Sequence, residues 1–557
     1  MNGGNMNNKI SNPTRRSQSV FWLFVGFWLL QSLFTATHTE LYFDEAYYWM
    51  YSQFPAWGYF DHPPGVAVMI WLGSFLGKTE LAVRLLNTLL MSGVLAIIYL
   101  VVRPKNILIF CLTLFSFLTF HLSGFVALPD TPFFFFAILF ILAYREFLRD
   151  DKWHNWALLG LTAALMLYCK YHGVLVILFV VLSHPKLLLN YRFYLAGIVG
   201  IGLFIPHIWW QISHDFPSLQ YHLVDRGSSY KIGQTLEYVF GNIPYHGGLV
   251  SVALLVASFR YQASSLWEKS LQWNLYGTLV FFFIVTFKGQ HIEPNWTIFC
   301  IFPLVYLGYR GVETAPWFPT YRKLAWVFAG ILLLLKVHLI HPLVVIKKDR
   351  VWDFHGSRAL AENVQALVGK DLIVSNNYKT TSLLNFYTDL DYYIPALNID
   401  DRANQYGIWR LDTLVCNRDV AYVNQRLDGV AVGSRSRSVE NVTRLEALTS
   451  IGLIDLKQGS FNLTNNLLTV SFTVQKPTNP ACLYQDSLLL EVTVLYSDER
   501  ATSDTLAFNF KENRAVSEPY NFQLRLEKVR AIEKVLVRVL SSKLRGGTNR
   551  YLTIKAD

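Results

Sequence analysis

The sequence predicts a polytopic α-helical membrane protein with a C-terminal extracytoplasmic region, part α/β and part β-sandwich-like. Three observations predict it. Of the 557 residues 52% are hydrophobic and only 16% charged, with a mean hydropathy of +0.28, too apolar for a water-soluble chain of this size. Apolar runs recur as far as residue 341, several of them near the roughly 20 residues that a helix needs to cross a bilayer. Past Ile451 the pattern becomes an alternation of apolar and polar residues, which belongs to strands.

The first run, about Val20 to Thr37, follows Arg15 and Arg16 as a signal peptide would, yet it lacks a small-residue cleavage site and is filled with bulky aromatics. It reads as a retained first span. Further spans are expected near 81–102, 107–127, 133–148, 155–170, 173–184, 193–210, 246–260, 271–288, 296–309 and 323–341, about eleven in all. Lys9, Arg15, Arg16, Arg103, Lys105, Arg145, Arg149, Lys152, Lys186, Arg192, Arg260, Lys269, Arg310, Arg322 and Lys323 then share one side. Only Lys78, Lys170, Arg226, Lys231 and Lys288 fall in the short segments of the other. Cytoplasmic loops are the Lys- and Arg-rich ones, so the N-terminus is expected inside and the C-terminal region outside. The formal charge of +10 is explained by this bias, and nucleic acid is not an expected partner.

Residues 342–450 suggest a small α/β domain. Asp371–Ile399 reads as strand, helix and strand, and AYVNQ and GVAVGS continue in short pieces. Residues 451–557 suggest a β-rich domain, with LLTVSFTVQ, SLLLEVTVLY, NFQLRLEKV and KVLVRVL as strands. Cys111, Cys169 and Cys300 fall in apolar runs and read as packing residues, whereas Cys416 and Cys482 are candidates for a disulfide in an oxidising compartment.

The residues out of keeping with plain connectors lie on the outer side. Glu40–Gly65 reads as a loop between two spans, yet it carries Asp44, Glu45, Tyr59, Asp61 and His62 among many aromatics. Asp130 lies in LPDTP, and Lys170 and Tyr171 close the fifth span. Arg226 follows the seventh, and KGQHIEPNW holds His291 and Asn295. Ionisable groups near membrane depth are costly and usually functional. A carboxylate there can act as general base towards a hydroxyl, and cationic groups can grip a phosphate. Asp61, His62 and His291 are also candidate ligands for a divalent cation. Taken singly, each has a plainer reading: Asp44 and Asp130 as helix caps, His62 as a turn residue, Lys170 as a side chain reaching the headgroups.

FDEAYYWMYSQFPAWGYFDHPPGVAVMI, RLLN, ALPDTPFFFF and CKYHG occur in this order, followed by EPNW and LNIDDRANQYGIW. The set resembles the bacterial GT-C membrane glycosyltransferases of the protein-mannosyltransferase-like family, and most of all their lipid A aminoarabinose and galacturonic acid transferases, over about residues 20–310. The resemblance implies an inverting transfer of a sugar from a polyprenyl-phosphate carrier to a lipid A, glycan or protein acceptor at the outer face of the inner membrane. It implies Asp44 as the catalytic base, Asp130 as the second acidic position, and Asp61 and His62 as the acidic–basic pair before Pro-Pro. The aminoarabinose enzymes carry Glu-Lys at that pair. Asp-His is shorter on both sides, and Lys170 is placed to compensate. Glu45 joins the catalytic candidates, and Tyr59, Lys170, Tyr171 and Arg226 are the further candidates for the donor's phosphate and sugar. The alternative is a transporter of lipid-linked saccharides, which is disfavoured because the acids lie in outer loops and no internal repeat is present.

Overall fold

In the computed structural model, residues 15–221, 229–343, 350–433, 440–448, 450–475, 488–498, 500–508, 519–526, 531–548 and 551–555 are described. The chain forms two compact units, Met1–Phe354 and His355–Asp557.

The first unit is helical. Its helices are α1 (Arg15–His38), α2 (Phe43–Gln53), α3 (Gly65–Gly73), α4 (Glu80–Val102), α5 (Ile107–Phe115), α6 (Leu118–Phe125), α7 (Asp130–Arg149), α8 (Trp153–Cys169) and α9 (Gly173–Ser183). They are followed by α10 (Tyr191–Ser213), α11 (Pro217–Gln220), α12 (Ile232–Tyr245), α13 (Leu249–Ser258), α14 (Leu266–Gln272), α15 (Thr278–Thr286), α16 (Ile301–Glu313) and α17 (Phe318–Ile340). Each of the eleven expected spans has a helical counterpart. Among the described residues α1, α4, α7, α10 and α17 are long and apolar enough to cross a membrane, and the bent pairs α5–α6 and α12–α13 raise the number to 7. The other counterparts, α8, α9, α14–α15 and α16, are shorter or interrupted. Side-chain oxygens start several helices where orphan N–H groups need a partner: Thr79 accepts from Ala82, Asn106 from Ile109 and Ser265 from Glu268.

The core is strongly aromatic, with Phe21 stacked on Tyr99 at 3.8 Å and Phe110 edge-on to Tyr309 at 5.0 Å. On α10 the side chains of Ile198, Ile201 and Trp209 stay more than 60% exposed, as helices facing lipid require. Two spans are broken. α5 and α6 meet at 65° and α12 and α13 at 100°. The second bend passes through Gly247 and Gly248, whose φ of +104° and +60° suits glycine. Side chains satisfy the polar groups that the breaks release. Thr119 donates to the Tyr245 carbonyl at 2.7 Å, and the His246 ring bridges Thr119 and Thr297 at 2.9 and 2.7 Å.

The stretch 40–65 differs from the loop expected of it. It contains α2, buried from Glu45 through Ser52, and leads into α3. Tyrosine and tryptophan give α2 an apolar body on every side, so hydropathy alone hides it among its polar neighbours.

The second unit opens with α18 (Ser357–Val368), β1 (Leu372–Ser375) and α19 (Tyr378–Tyr387). The third piece of the expected strand–helix–strand is a single bridge between Ser375 and Ala396. After the short α20 (Gln405–Trp409) come β2 (Val420–Asn424), β3 (Val430–Val432) and β4 (Glu440–Leu445). They form a sheet ordered β1-β2-β4-β3, with β1 and β2 parallel. The β-rich part contains β5 (Asp455–Thr464), β6 (Leu467–Gln475), β7 (Leu488–Tyr496), β8 (Ala501–Phe508), β9 (Tyr520–Arg525), β10 (Ile532–Ser541), β11 (Gly546–Gly547) and β12 (Leu552–Lys555). One sheet runs β11-β10-β7-β8 with β12 against β10, and the other runs β5-β6-β9. The four stretches expected as strands are β6, β7, β9 and β10. Strict alternation along β7 places Leu488, Leu490, Val492 and Val494 in a core that also takes Val374 and Tyr422 of the first sheet. Cys416 is disulfide-bonded, and Cys482, its expected partner, lies outside the described residues. Cys111, Cys169 and Cys300 are free and buried.

Candidate functional site

The site begins with an arginine that its sequence context hides. Arg84, in the first turns of α4, is fully buried. Its Nε and Nη2 donate to the two Glu45 oxygens at 2.8 and 2.6 Å, while Nη1 and Nη2 donate to the carbonyls of Ala36, Thr39 and Glu40. Glu45 is equally saturated, because it also accepts from the backbone N–H groups of Tyr42 and Ala127 at 2.9 Å. This bidentate pair ties the end of α1, the start of α2 and the turn before α7 into one knot. The same knot sets the position of Asp44, which sits in the first turn of α2 and is half-buried. Both Glu45 oxygens are thus engaged within the knot.

Asp130, the first residue of α7, is buried and pairs with Lys170 at 2.6 Å. Asn295 donates to its other oxygen at 3.0 Å. The turn after α8 therefore carries the lysine to the start of α7. Gly65 makes the approach of α3 to this turn possible, since a Cβ there would lie 2.8 Å from the Tyr168 carbonyl and 2.9 Å from Cys169 Cα.

A second network adjoins it through Tyr171. His207 Nδ1 donates to the Trp57 carbonyl at 2.7 Å, which leaves Nε2 to accept from the Tyr171 hydroxyl at 3.0 Å. Gln211 donates to Tyr171 and to Ser218, and Ser218 donates to the Tyr59 carbonyl. Tyr59 stacks on Tyr51 at 4.1 Å, and its hydroxyl donates to the Tyr51 carbonyl. Asp61 is buried and accepts from the hydroxyls of Tyr47 and Tyr51 at 2.9 and 3.2 Å. His62, half-buried, lies edge-on to Tyr48. Burial pushes the Tyr51 hydroxyl well above its usual range, with Tyr47 and Asp61 adding to the effect. Burial likewise raises Tyr59 to about 12 and raises Tyr171 against its hydrogen bonds with Ser218 and Gln211. These phenols keep their protons and can serve Asp61 and its surroundings as donors.

The turn 170–172 thus joins Asp130, Lys170 and Asn295 on one hand with Tyr171, His207, Gln211 and Ser218 on the other. Asp61 lies close enough to act electrostatically on Tyr171. His291 is placed otherwise, on the surface between Glu237 and Glu293, 3.3 Å from each. Among the described residues no three His, Cys, Asp or Glu side chains gather as metal ligands would. Arg226 lies outside the described residues. Arg84, Tyr47, Tyr51, His207, Gln211 and Ser218 are additions that sequence reading missed. Of these, Arg84 alone left a signal, as a charge within an apolar helical run.

Residues 61–210 match the family model of dolichyl-phosphate-mannose-protein mannosyltransferases. No curated protein matches the chain. Two crystal structures of ArnT from Cupriavidus metallidurans are similar, one in the apo state and one bound to undecaprenyl phosphate. The chain is 13% and 14% identical to them, with TM-scores of 0.55 and 0.53, over 77% of this chain and 98% of theirs. The chain is a multi-pass membrane protein that shares their fold and carries a C-terminal β-rich region.

Proposed function

We propose that this chain is a glycosyltransferase that takes a sugar from a polyprenyl-phosphate carrier and passes it to an acceptor at the outer face of the cytoplasmic membrane. The reading is carried by one juxtaposition: in the 170–172 turn Lys170 pairs with Asp130, while the next residue, Tyr171, stands within electrostatic reach of tyrosine-bound Asp61. All of these acids and bases lie within the segment that matches the mannosyltransferase family model. The undecaprenyl phosphate held by one of the similar structures fits the same reading.

In this mechanism an acceptor oxygen attacks the anomeric carbon, the bond to the carrier phosphate breaks, and polyprenyl phosphate leaves with the electron pair. A single displacement inverts the anomeric configuration. Asp44 takes the proton of an acceptor hydroxyl, or orients an acceptor that is itself a phosphate. Lys170 turns from Asp130 to the carrier phosphate, and Asp130 with Asn295 sets where the lysine stands. Asp61, His62, Tyr59 and Tyr171 line the donor's phosphate and sugar, and Arg226 joins them. The aromatic surroundings keep out water, whose attack would hydrolyse the donor. The N-terminus is cytoplasmic and the second unit extracytoplasmic. Lipid A, another glycan or a protein is the acceptor class.

The test is mass spectrometry of envelope lipids and glycoconjugates from cells lacking the chain. We expect one glycan to lose a single sugar, to be restored by the intact chain and to stay incomplete with Asp44→Asn. Equal restoration by Asp44→Asn removes Asp44 as the base. Accumulation of a complete lipid-linked precursor, with no single-sugar loss, favours transport.

A further inference from the structure

Away from this site, two buried basic side chains each keep a nitrogen that no described residue meets. Lys336 is 7% exposed on α17, although its neighbours Leu333, Leu334, Leu335 and Val337 are 43–66% exposed. No described residue accepts from its Nζ. His121 on α6 is 4% exposed and lies within electrostatic reach of Lys336, and the residue after it, Leu122, packs on the same buried cluster as Leu339 of α17. Its Nε2 donates to the Phe115 carbonyl at 2.8 Å, across the break between α5 and α6, while its Nδ1 meets no described partner. Trp28 packs against Gly124, one turn along the same helix, and its buried Nε1 also lacks an acceptor.

An ammonium ion in low dielectric with no counter-charge is among the costliest arrangements a protein can hold, and such a residue inside a membrane is by default functional. Lys336 Nζ and Trp28 Nε1 are donors, and His121 Nδ1 becomes one when the ring takes a second proton, so what would complete the cluster is an anion. Three features say which kind. Lys336 stands four residues before the end of α17, roughly 6 Å along the helix, which is the depth of a headgroup phosphate. The exposed leucines on both sides of it face the acyl chains. α17 is only 22% buried, so a lipid can reach its inner edge from the bilayer.

We infer that Lys336 and His121 hold the phosphate of an anionic membrane lipid between α17 and the broken α5–α6 span. The lysine ammonium supplies the charge, and His121, fixed through Nε2 by its bond to the Phe115 carbonyl, donates from Nδ1 as the imidazolium that a neighbouring anion favours. This site uses none of the residues assigned to sugar transfer and does not depend on that reading.

The experiment is lipid retention by the full chain, purified from equimolar phosphatidylglycerol and phosphatidylcholine in detergent and analysed by native mass spectrometry, alongside thermal unfolding with and without added lipid. The wild type should keep phosphatidylglycerol selectively and be protected by it. Lys336→Met should lower that retention about tenfold, as the loss of one charge-assisted contact implies. The same variant should unfold at a higher temperature than wild type when lipid is stripped, because an unpaired charge has been removed. Lys336→Arg should retain the lipid, and Lys323→Met, exposed on the same helix, should behave as wild type. Equal retention by Lys336→Met overturns the proposal. If inorganic phosphate protects the wild type and the lipid does not, the site belongs to free phosphate and the lipid assignment fails.

Discussion

Replacing Arg84 by methionine tests the knot on which the first outer segment rests. The substitution keeps an unbranched apolar side chain but removes both bonds to Glu45 and the donors to Ala36, Thr39 and Glu40. Glu45 is left fully buried with a charge that only two backbone N–H groups address. Breaking a buried pair from one side costs about 3–5 kcal/mol, mostly the penalty of the stranded charge. At about 2–4 °C per kcal/mol for a large domain, the unfolding midpoint should drop by roughly 6–20 °C. The assay is thermal unfolding of the detergent-purified full chain, followed by size-exclusion of the soluble fraction. Arg84→Met/Glu45→Met should recover part of the loss, since it removes the stranded carboxylate while the two N–H groups stay unpaired. A single variant within about 1 kcal/mol of wild type, a cost typical of exposed pairs, refutes the reasoning. A double variant no better than the single one shows that the stranded charge is not the source.

Three further outcomes follow. Asp44→Asn should lower turnover by about 10²–10⁴-fold with little change in donor KM, as loss of a general base does, measured as carrier phosphate released in proteoliposomes. Lys170→Met leaves Asp130 buried and unpaired, so it should destabilise the helical unit and weaken donor binding, whereas Lys170→Met/Asp130→Asn should regain stability without regaining binding. In the second unit, burial pushes the Asp400 carboxyl up, but hydrogen bonds from Arg426, the Gly547 N–H and Arg538 outweigh it and hold it below the usual carboxylate range. Its contribution to stability is complete above the unfolded value near 4 and is lost as pH falls through the lower folded value. The urea midpoint of peptides from β10, read by pulsed amide exchange, should therefore fall on acidification and be flatter with pH in Asp400→Asn.

The helical frame was largely legible because apolar runs announce themselves by length, and the strands of the second unit because β7 and β10 alternate so strictly. α2 was not, since its tyrosines and tryptophan carry polar tips that lower hydropathy while the rings are buried. In the site, the sequence pointed to acids and bases by type and neighbourhood. Their pairing lies in contacts across long separations: Asp130 meets Lys170 and Asn295, and Glu45 meets Arg84. RLLN shows a charge in an apolar helical run, but what its arginine holds is visible only once the carbonyls around it are counted. His291 is similar: Glu293, two residues on, is visible beside it in the sequence, whereas Glu237, equally 3.3 Å away, is brought to it only by the fold.

The broken spans also bear on how the chain is made. Half-helices of the size of α5, α6 and α13 are too short to partition into a bilayer one at a time, and the bends expose backbone that lipid cannot solvate. For the α12–α13 bend the partner is made early, because Thr119, 126 residues before, donates to the Tyr245 carbonyl, and the His246 ring reaches on to Thr297. The second broken span therefore completes its polar contacts only against a first that has already left the ribosome, so the order of synthesis is also an order in which released backbone finds its partners.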